Sequence, residues 1–406
     1  MSTTLPIIVV GGGTAGCTVV SYLASHSDAK ILLIEPGGRS SHDDESRFLE
    51  VLKDSDLIDV AANGYVQGRA IGGGSAVNGM LLTGAIPEHI EGLTRVATDA
   101  DAGQLGRALF ASGGRFSRLW WNRGRWNPGR AVHHLQEEGR ITILSKNVTS
   151  VIHDGSRVTG VRCGDDVHMA SLVVMCAGAI ATPAIILSSG LSSVNSLVGV
   201  GLQNHPTITA FLPVHDQSDA RFDACVVRET TTHDGAEFLT IAYERVAHDV
   251  AKTGMLSISL MNPKSRGSVS IGATGELAVN FALLEDVSDL SHMIDAVHSV
   301  IDVVCSSEFA SLIDRDEVLI EGSPLKLVGG MSDTQLGDWV VANVKSVSHA
   351  SSSCAKAVDS SGQLKGIENC WIADASVLSG VPACTPAAPV TMEALRIARK
   401  IGESLS

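Results

Sequence analysis

The chain opens on an unbroken apolar run, Ile7 to Val10, that stops at Gly11-Gly12-Gly13. A stretch of small residues from about Thr14 to Ser25 follows, and then a second apolar run from Lys30 to Ile34. This order predicts a strand, a helix and a second strand. A strand without polar alternation is buried on both faces, as in a parallel sheet, so the N-terminal strand is expected to be central. Between about residues 141 and 174 the pattern changes to short runs broken by Asp154-Gly155 and Gly164-Asp165, which reads as an antiparallel meander and a return strand. From 206 to 285 apolar and polar residues alternate in six segments, the pattern of a sheet with one packed face and hence of a second domain. Within 287–312, Leu290, Ile294, Val297, Ile301 and Val304 recur at helical steps and are expected to form the face that covers that sheet.

Composition narrows the class. A chain of 406 residues is long enough for two large domains or one elaborate α/β unit. With 44% hydrophobic and only 18% charged residues, neither disorder nor a coiled coil fits. The net charge of −14 argues against nucleic acid, whose phosphates need a clustered positive field. One segment runs against that balance, where Arg115, Arg118, Arg123, Arg125 and Arg130 are interleaved with Trp120, Trp121 and Trp126. Its leading reading is a solvated loop held by aromatic anchors, with a substrate or partner contact as the alternative. The eight cysteines are scattered, with no C-x-x-C pair and no His spacing suited to zinc, so no metal site and a reducing, cytoplasmic setting are expected. No basic leader precedes the first apolar run and no stretch reaches about 18 apolar residues, so neither a secretory signal nor a membrane span is expected.

Gly11-Gly12-Gly13-Thr14-Ala15-Gly16 satisfies G-x-G-x-x-G between a predicted strand and a predicted helix, the context that gives the motif its meaning. Gly11 permits the tight turn, Gly13 lets backbone approach a pyrophosphate, and Gly16 lets the helix pack closely on the sheet. Thr14 and Ala15 open the helix, whose N–H groups and positive dipole end face the phosphates. Glu35 ends the second strand, 19 residues after Gly16, where a carboxylate accepts from both ribose hydroxyls and repels a 2′-phosphate. The dinucleotide expected on these grounds is FAD or NAD rather than NADP.

A second glycine cluster, Gly68-Arg69-Ala70-Ile71-Gly72-Gly73-Gly74-Ser75-Ala76-Val77-Asn78, is too long for a hairpin turn. It resembles the first signature of the glucose-methanol-choline (GMC) oxidoreductases, and Gly178 to Leu191 resembles the second, lacking only a final Gly where this chain has Ser192. Further similarity runs through 199–206, 263–269 and 372–377, in the family's order. The resemblance covers roughly 5–85 and 140–405. It implies an α/β fold, an FAD-binding Rossmann-type parallel sheet with a β-meander, plus a substrate domain of antiparallel sheet backed by helices. The implied FAD-binding part is 1–205, the substrate-binding domain 206–340, and 341–406 returns to the FAD-binding part with the catalytic segment. FAD is the implied cofactor, with Gly72, Gly73, Ser75 and Asn78 along it. Val148, beside Asn147, would meet adenine through its backbone at a strand end, Ala177 and Gly178 would also bind the cofactor, and Asp374 and Ala375 would touch its ribityl or pyrophosphate region. Read by itself, Asp374 is also a candidate N-cap of a short helix. Val77 stands where relatives with a histidyl-linked flavin have His, so the FAD is expected to be noncovalent.

Alcohol oxidation in this family needs a base for the hydroxyl proton while hydride passes to flavin N5, and imidazole titrates near the working pH. His349, in His349-Ala350-Ser351-Ser352-Ser353-Cys354, is similar to the histidine of the family's H-x-x-G-T-C segment. The family's second residue, Asn or His, falls on Thr385 when Asp374 counts as the first of twelve positions. A threonine there can orient a substrate oxygen but is no base. His205, before Pro206, reads as structural. Two departures stand out: Ser352-Ser353 replaces Gly-Thr, and only about sixty residues separate Asn78 from the meander, so the lid region at 84–130 is cut down, with 113–130 as its remnant. The expected partners are a small-molecule alcohol and an electron acceptor left open among oxygen, a quinone and a protein or peptide carrier, the last as in mycofactocin-associated members. The rival readings are a flavin-binding homologue with a degenerate site and a scaffold or regulatory role, and an NAD-dependent Rossmann enzyme.

Overall fold

In the computed structural model the apolar run Ile7–Val10 is fully buried at the centre of a five-stranded parallel sheet, as its lack of polar alternation requires. The structure describes residues 5–61, 64–216, 219–246, 250 and 252–405. Across the sheet the order is Cys370–Ile372, Leu172–Met175, Ile7–Val10, Ile31–Ile34 and Thr142–Leu144. Ile7 is in register with Leu172 on one side and with Ile31 on the other. The helix Thr14–His26 shares its apolar core with the C-terminal helix Ala387–Leu405, through Val19, Val20 and Leu23 against Ile397, Ala398 and Ile401. The meander forms as expected from Ser150–His153, Val158–Cys163 and Asp166–Met169, and hands the chain into Leu172–Met175. Because the outermost strand comes from the far end of the chain, residues 349–385 return beside the N-terminal glycine loops.

The second sheet is built on the antiparallel strands Pro206–Pro213, Thr253–Leu260, Glu237–Tyr243 and Val226–Thr231, extended at its edges by Leu319–Ile320 and Arg115–Phe116. Four of the six alternating segments lie here. The other two do not: Gly267–Ile271 and Leu277–Asn280 pair with Val200–Leu202 in a separate three-stranded sheet, and Val269 packs with Ala179 and Leu202. Alternation reports that one face is packed, and says nothing of which body packs it.

The covering helix spans Val287–Cys305, but its buried apolar positions are Met293, Ala296, Val297, Val300, Val303 and Val304. Leu290, Ile294 and Ile301 are only half-buried. Ile294 flanks the helix Asp333–Asn343, with Cδ1 3.6 Å from where a Cβ on Gly337 would stand. The predicted stripe is therefore one edge of a wider apolar surface shared between sheet and helix.

The Arg/Trp segment is a larger correction. Trp120 and Arg125 are fully buried and Trp121 nearly so. Arg118–Leu119 pairs with both Leu81–Leu82 and Arg95–Val96. Arg115 donates to Glu229 through two bonds of 2.9 and 2.8 Å, and Arg125 Nη1 donates to the Asn78 carbonyl at 2.5 Å. The aromatic anchors were legible, but the segment is a folded connector with an interior arginine rather than a solvated basic loop. Among the described residues, no helix is long and apolar enough to cross a membrane.

Ser352 has φ +74, the left-handed region that favours glycine, at the position where the resembling motif has Gly. The turn is held in that shape by Ser352 N–H to the Ala375 carbonyl at 2.9 Å and Cys354 N–H to the Ser376 carbonyl at 2.8 Å. Its hydroxyl is buried without a hydrogen-bond partner among the described residues. An L-residue in this conformation costs about 1–2 kcal/mol, whereas glycine adds about 0.5–1 kcal/mol of chain entropy, and the orphaned hydroxyl adds to the serine's cost. Ser352→Gly should therefore stabilise the fold by about 1 kcal/mol, read as a higher midpoint in thermal or urea unfolding. A lower midpoint would show that the serine side chain is stabilising.

Candidate active site

The two glycine loops meet at the carboxyl end of the parallel sheet. Gly11 turns the chain with φ +97, and a Cβ there would lie 2.5 Å from the Cys176 carbonyl oxygen. A Cβ on Gly16 would lie 1.9 Å from the Gly11 carbonyl oxygen, so the helix approaches as closely as the motif predicts. The second loop docks on the first: Gly72 N–H donates to the Gly12 carbonyl at 2.7 Å, and a Cβ on Gly73 would sit 2.7 Å from Gly13 Cα. Thr14 Oγ1 donates to Ser75 Oγ at 2.9 Å, and Ser75 Oγ donates to the Gly72 carbonyl at 2.7 Å. On the other side the surface is open, because a Cβ on Gly13, Gly38 or Gly178 would meet no atom within 4 Å. The first N–H groups of the helix that starts at Thr14 lack intrahelical partners and lie at this edge.

Glu35 is buried beside the loop. Its Oε2 accepts from Gly12 N–H at 2.8 Å and its Oε1 from Gly37 N–H at 2.9 Å. Burial pushes its carboxyl above the usual range, while these two N–H groups oppose the shift. Each oxygen keeps lone-pair capacity for a further donor. Nearby, Gly37, Gly38, Ile71, His133, Ile143 and Ser145 line a cleft of about 340 Å³. Val148 is half-buried in the link between Thr142–Leu144 and Ser150–His153, a few residues beyond the strand end expected for it.

Asp374 ties the ends of two neighbouring parallel strands together. Its Oδ2 accepts from Gly178 N–H at 2.8 Å and from Thr182 Oγ1 at 2.6 Å, while Oδ1 accepts from Ser376 N–H at 2.9 Å. It is thus the N-cap of the short Ala375–Val377 turn and also a clasp on the helix Gly178–Ser188. Burial raises its pKa against the pull of these donors. The clasp holds Ala375 close to Ala177 and Gly178.

The segment 199–206 braces the return segment. Gln203 and Ser351 exchange two backbone bonds of 2.9 Å, and Gly199 N–H donates to the Ser353 carbonyl at 2.8 Å. Asn204 Nδ2 donates to the Val347 carbonyl at 2.5 Å, and its Oδ1 accepts from His205 N–H at 2.9 Å and His349 N–H at 3.3 Å. Ser353 Oγ donates to the Ala179 carbonyl at 2.6 Å, which fixes this segment to the first turn of the helix Gly178–Ser188.

Within this frame His205 Nδ1 lies 2.9 Å from His349 Nδ1, with the rings at 90°, and His205 Nε2 lies 3.1 Å from the Pro382 carbonyl. His205 is fully buried, and His349 keeps part of its surface exposed. Loss of water around the rings pulls His205 well below the usual imidazole range, helped by the neighbouring His349, and lowers His349 to about 4. Both imidazoles are neutral at pH 7.

Thr385 is buried near the same return segment. It exchanges two bonds with Thr83, Thr385 N–H to Thr83 Oγ1 at 2.9 Å and Thr83 N–H to Thr385 Oγ1 at 3.1 Å. Among the described residues it makes no hydrogen bond to His349; that contact belongs to His205. The sequence reading passed over His205 because a His-Pro pair explains a local bend, and no local pattern reveals contact with a residue 144 positions away.

Models of the GMC oxidoreductases match residues 130–207 and 263–394. The chain is 23% identical over 494 residues to a GMC-type oxidoreductase from the thcA 5′ region of Rhodococcus erythropolis, covering 96% of each chain. It is also 23% identical over 521 residues to the 5-(hydroxymethyl)furfural oxidase of Methylovorus sp., covering 97% of this chain and 98% of that one. Both alignments are longer than the chain itself, so these relatives carry segments that it lacks. Among solved structures it resembles pyridoxine 4-oxidase from Mesorbium loti, with a TM-score of 0.81, 18% identity and coverage of 98% and 99%. A fungal aryl-alcohol oxidase is similar at a TM-score of 0.76, 14% identity and full coverage of both chains. With family models matched over more than half of the chain and the parallel-sheet architecture already described, the chain belongs to the GMC oxidoreductase family.

Proposed function

We propose that this chain is an FAD-dependent oxidoreductase that oxidises a CH–OH group of a small alcohol, with His349 as the general base. The observation that carries the reading is convergence: the two docked glycine loops and the segment bearing a neutral imidazole are bonded to the same edge of one parallel sheet. The open surface at Gly13, the helix N-terminus at Thr14 and Ala15, and the buried carboxylate of Glu35 fit a dinucleotide from pyrophosphate to ribose. Gly72, Gly73, Ser75 and Asn78 would line its course, Val148 would meet adenine, and Ala177, Gly178, Asp374 and Ala375 would hold its middle. Bound FAD supplies the hydride acceptor.

Val77 is packed among Val51, Leu57, Ala70 and Ala76, where no ring nitrogen is available for a covalent link, which supports noncovalent binding. His349 accepts the hydroxyl proton of the substrate. Thr385, whose oxygen already accepts from Thr83, has its hydroxyl proton to donate and orients the substrate oxygen. The oxidases among its relatives support oxygen as the electron acceptor, and oxygen uptake during turnover separates it from a quinone or a carrier. The eight unpaired cysteines, six of them buried, support a cytoplasmic setting.

Gly13→Val should abolish FAD retention without lowering the melting temperature of the FAD-free protein, because its side chain enters open space on the ligand side. Gly16→Ala should instead destabilise the FAD-free fold by at least about 1–3 kcal/mol through overpacking. Full FAD content in Gly13→Val would remove the loop from the site. His349→Ala should slow flavin reduction by an alcohol about 10²- to 10⁴-fold, with FAD content near that of the unaltered chain. In the unaltered chain the rate rises as pH increases through the His349 pKa and is flat above it. Burial puts that limb near 4 rather than at the ordinary 6.5, and stopped-flow rates between pH 4 and 8 should show a plateau from about 5 upward. A limb centred near 6.5, or a His349→Ala rate within threefold of the unaltered chain, would place the base elsewhere.

A further inference from the structure

We propose that His205 is a positioning residue that sets the tautomer of His349, keeping the proton on His349 Nδ1 and leaving Nε2 bare to receive the substrate proton. The inference rests on the reading of His349 as base. It follows from counting protons along three groups. A carbonyl oxygen only accepts, so the 3.1 Å contact between His205 Nε2 and Pro382 is a hydrogen bond only when Nε2 carries hydrogen. A bare Nε2 would instead face the oxygen lone pair. The Met261 carbonyl also acts on this ring and likewise favours an N–H on it.

Burial excludes the doubly protonated ring, so His205 Nδ1 is an acceptor. Two bare Nδ1 atoms 2.9 Å apart would repel, hence the proton between them belongs to His349. Neutral His349 then has its lone pair at Nε2, which has no hydrogen-bond partner among the described residues.

The resulting step is balanced. The substrate O–H bond would break as a bond forms between its proton and His349 Nε2, and the hydride released from the carbon would need the acceptor that bound FAD would supply. His349 Nδ1–H stays in place and becomes one of the two N–H groups of an imidazolium. His205 takes no proton, because its ring is fully buried, its Nε2 already carries the hydrogen bonded to the Pro382 carbonyl and its Nδ1 is held as the acceptor of His349 Nδ1–H. It acts as a fixed acceptor that orients the ring and shares its charge through one hydrogen bond. Among the described residues, the titratable group that acts on His205 is His349, and no carboxylate or cation acts on His349, so the pair sets its own pH response.

The test is long-range proton–nitrogen correlation spectroscopy on the FAD-loaded protein with ring-labelled histidine at pH 7, with His349 signals identified by their loss in His349→Gln. The expected spectrum has a protonated Nδ1 and a bare Nε2 for His349. A protonated Nε2 or a charged ring would overturn the proposal with no variant needed. Kinetics then test the role. His205→Asn keeps an acceptor oxygen near the Nδ1 position and should keep both the tautomer and a flavin-reduction rate within about threefold. His205→Leu removes the acceptor and should mix the tautomers, lowering the limiting rate about 10- to 100-fold with substrate affinity changed less. An unchanged rate in folded His205→Leu would overturn the positioning role. Alcohol oxidation that needs His349 but proceeds with the other tautomer defeats this inference alone. The expected tautomer with no oxidation of any alcohol defeats the catalytic reading instead.

Discussion

The arrangement depends on one backbone-on-backbone contact, the seating of Gly72 and Gly73 on Gly12 and Gly13 at the tip of the central strand. The second loop tolerates no side chain pointing into that contact: a Cβ on Gly73 would press on Gly13 Cα at 2.7 Å. Strain of this kind costs about 1–3 kcal/mol per position when it can be absorbed at all. The contact joins two segments far apart in sequence, and Thr14 and Ser75 add a hydroxyl chain across it. From this joint the second loop runs to Asn78, where the buried Arg125 grips the backbone, so the connector at 113–130 is anchored to it as well. The open side of Gly13 faces away from the joint. One set of small residues therefore makes both a tight internal fit and a ligand-facing surface.

The return segment completes the site by a different device. Asp374 gathers three donors from two neighbouring strand ends, and Gln203, Asn204 and Ser351 link the strand-like 199–206 segment to 347–353. These bonds do not contact a reacting group; they fix where His349 stands. Removing water from around two adjacent imidazoles then disfavours their cations, and the pair becomes neutral over the whole physiological range. If His349 is the base, as proposed, a base held this way is always available and is weaker than a free imidazole. Its proton affinity must therefore be recovered from the developing alkoxide and hydride transfer, which places the demand on the geometry around Nε2.

Much of the frame was legible in the sequence because its cause is local. Continuous apolar runs marked the buried parallel strands, and glycine spacing marked the tight turn that brings Gly12 to Glu35. The meander followed from turn residues. What escaped depends on contacts between distant residues. The strands at 267–271 and 277–280 show the same alternation as their neighbours yet belong to another sheet, because alternation does not name the partner. Arg125 read as a solvated charge, but it is buried, with its guanidinium on the Asn78 carbonyl and its backbone N–H on the Asp43 carbonyl. His205 looked like half of a His-Pro bend, and only the fold brings its Nδ1 to His349. Ser352 stands where the resembling motif has Gly, and only the structure shows that it adopts the left-handed conformation that favours glycine, at a cost in strain.

The central claim is that this chain holds FAD between its two glycine loops without a covalent bond. The most direct measurement is the absorption spectrum of the purified protein before and after acid precipitation, with the released chromophore identified by chromatography. The account expects flavin bands in the intact protein and free FAD in the supernatant, with a colourless pellet. A protein that neither carries nor takes up FAD, or one whose flavin stays with the pellet, would contradict it.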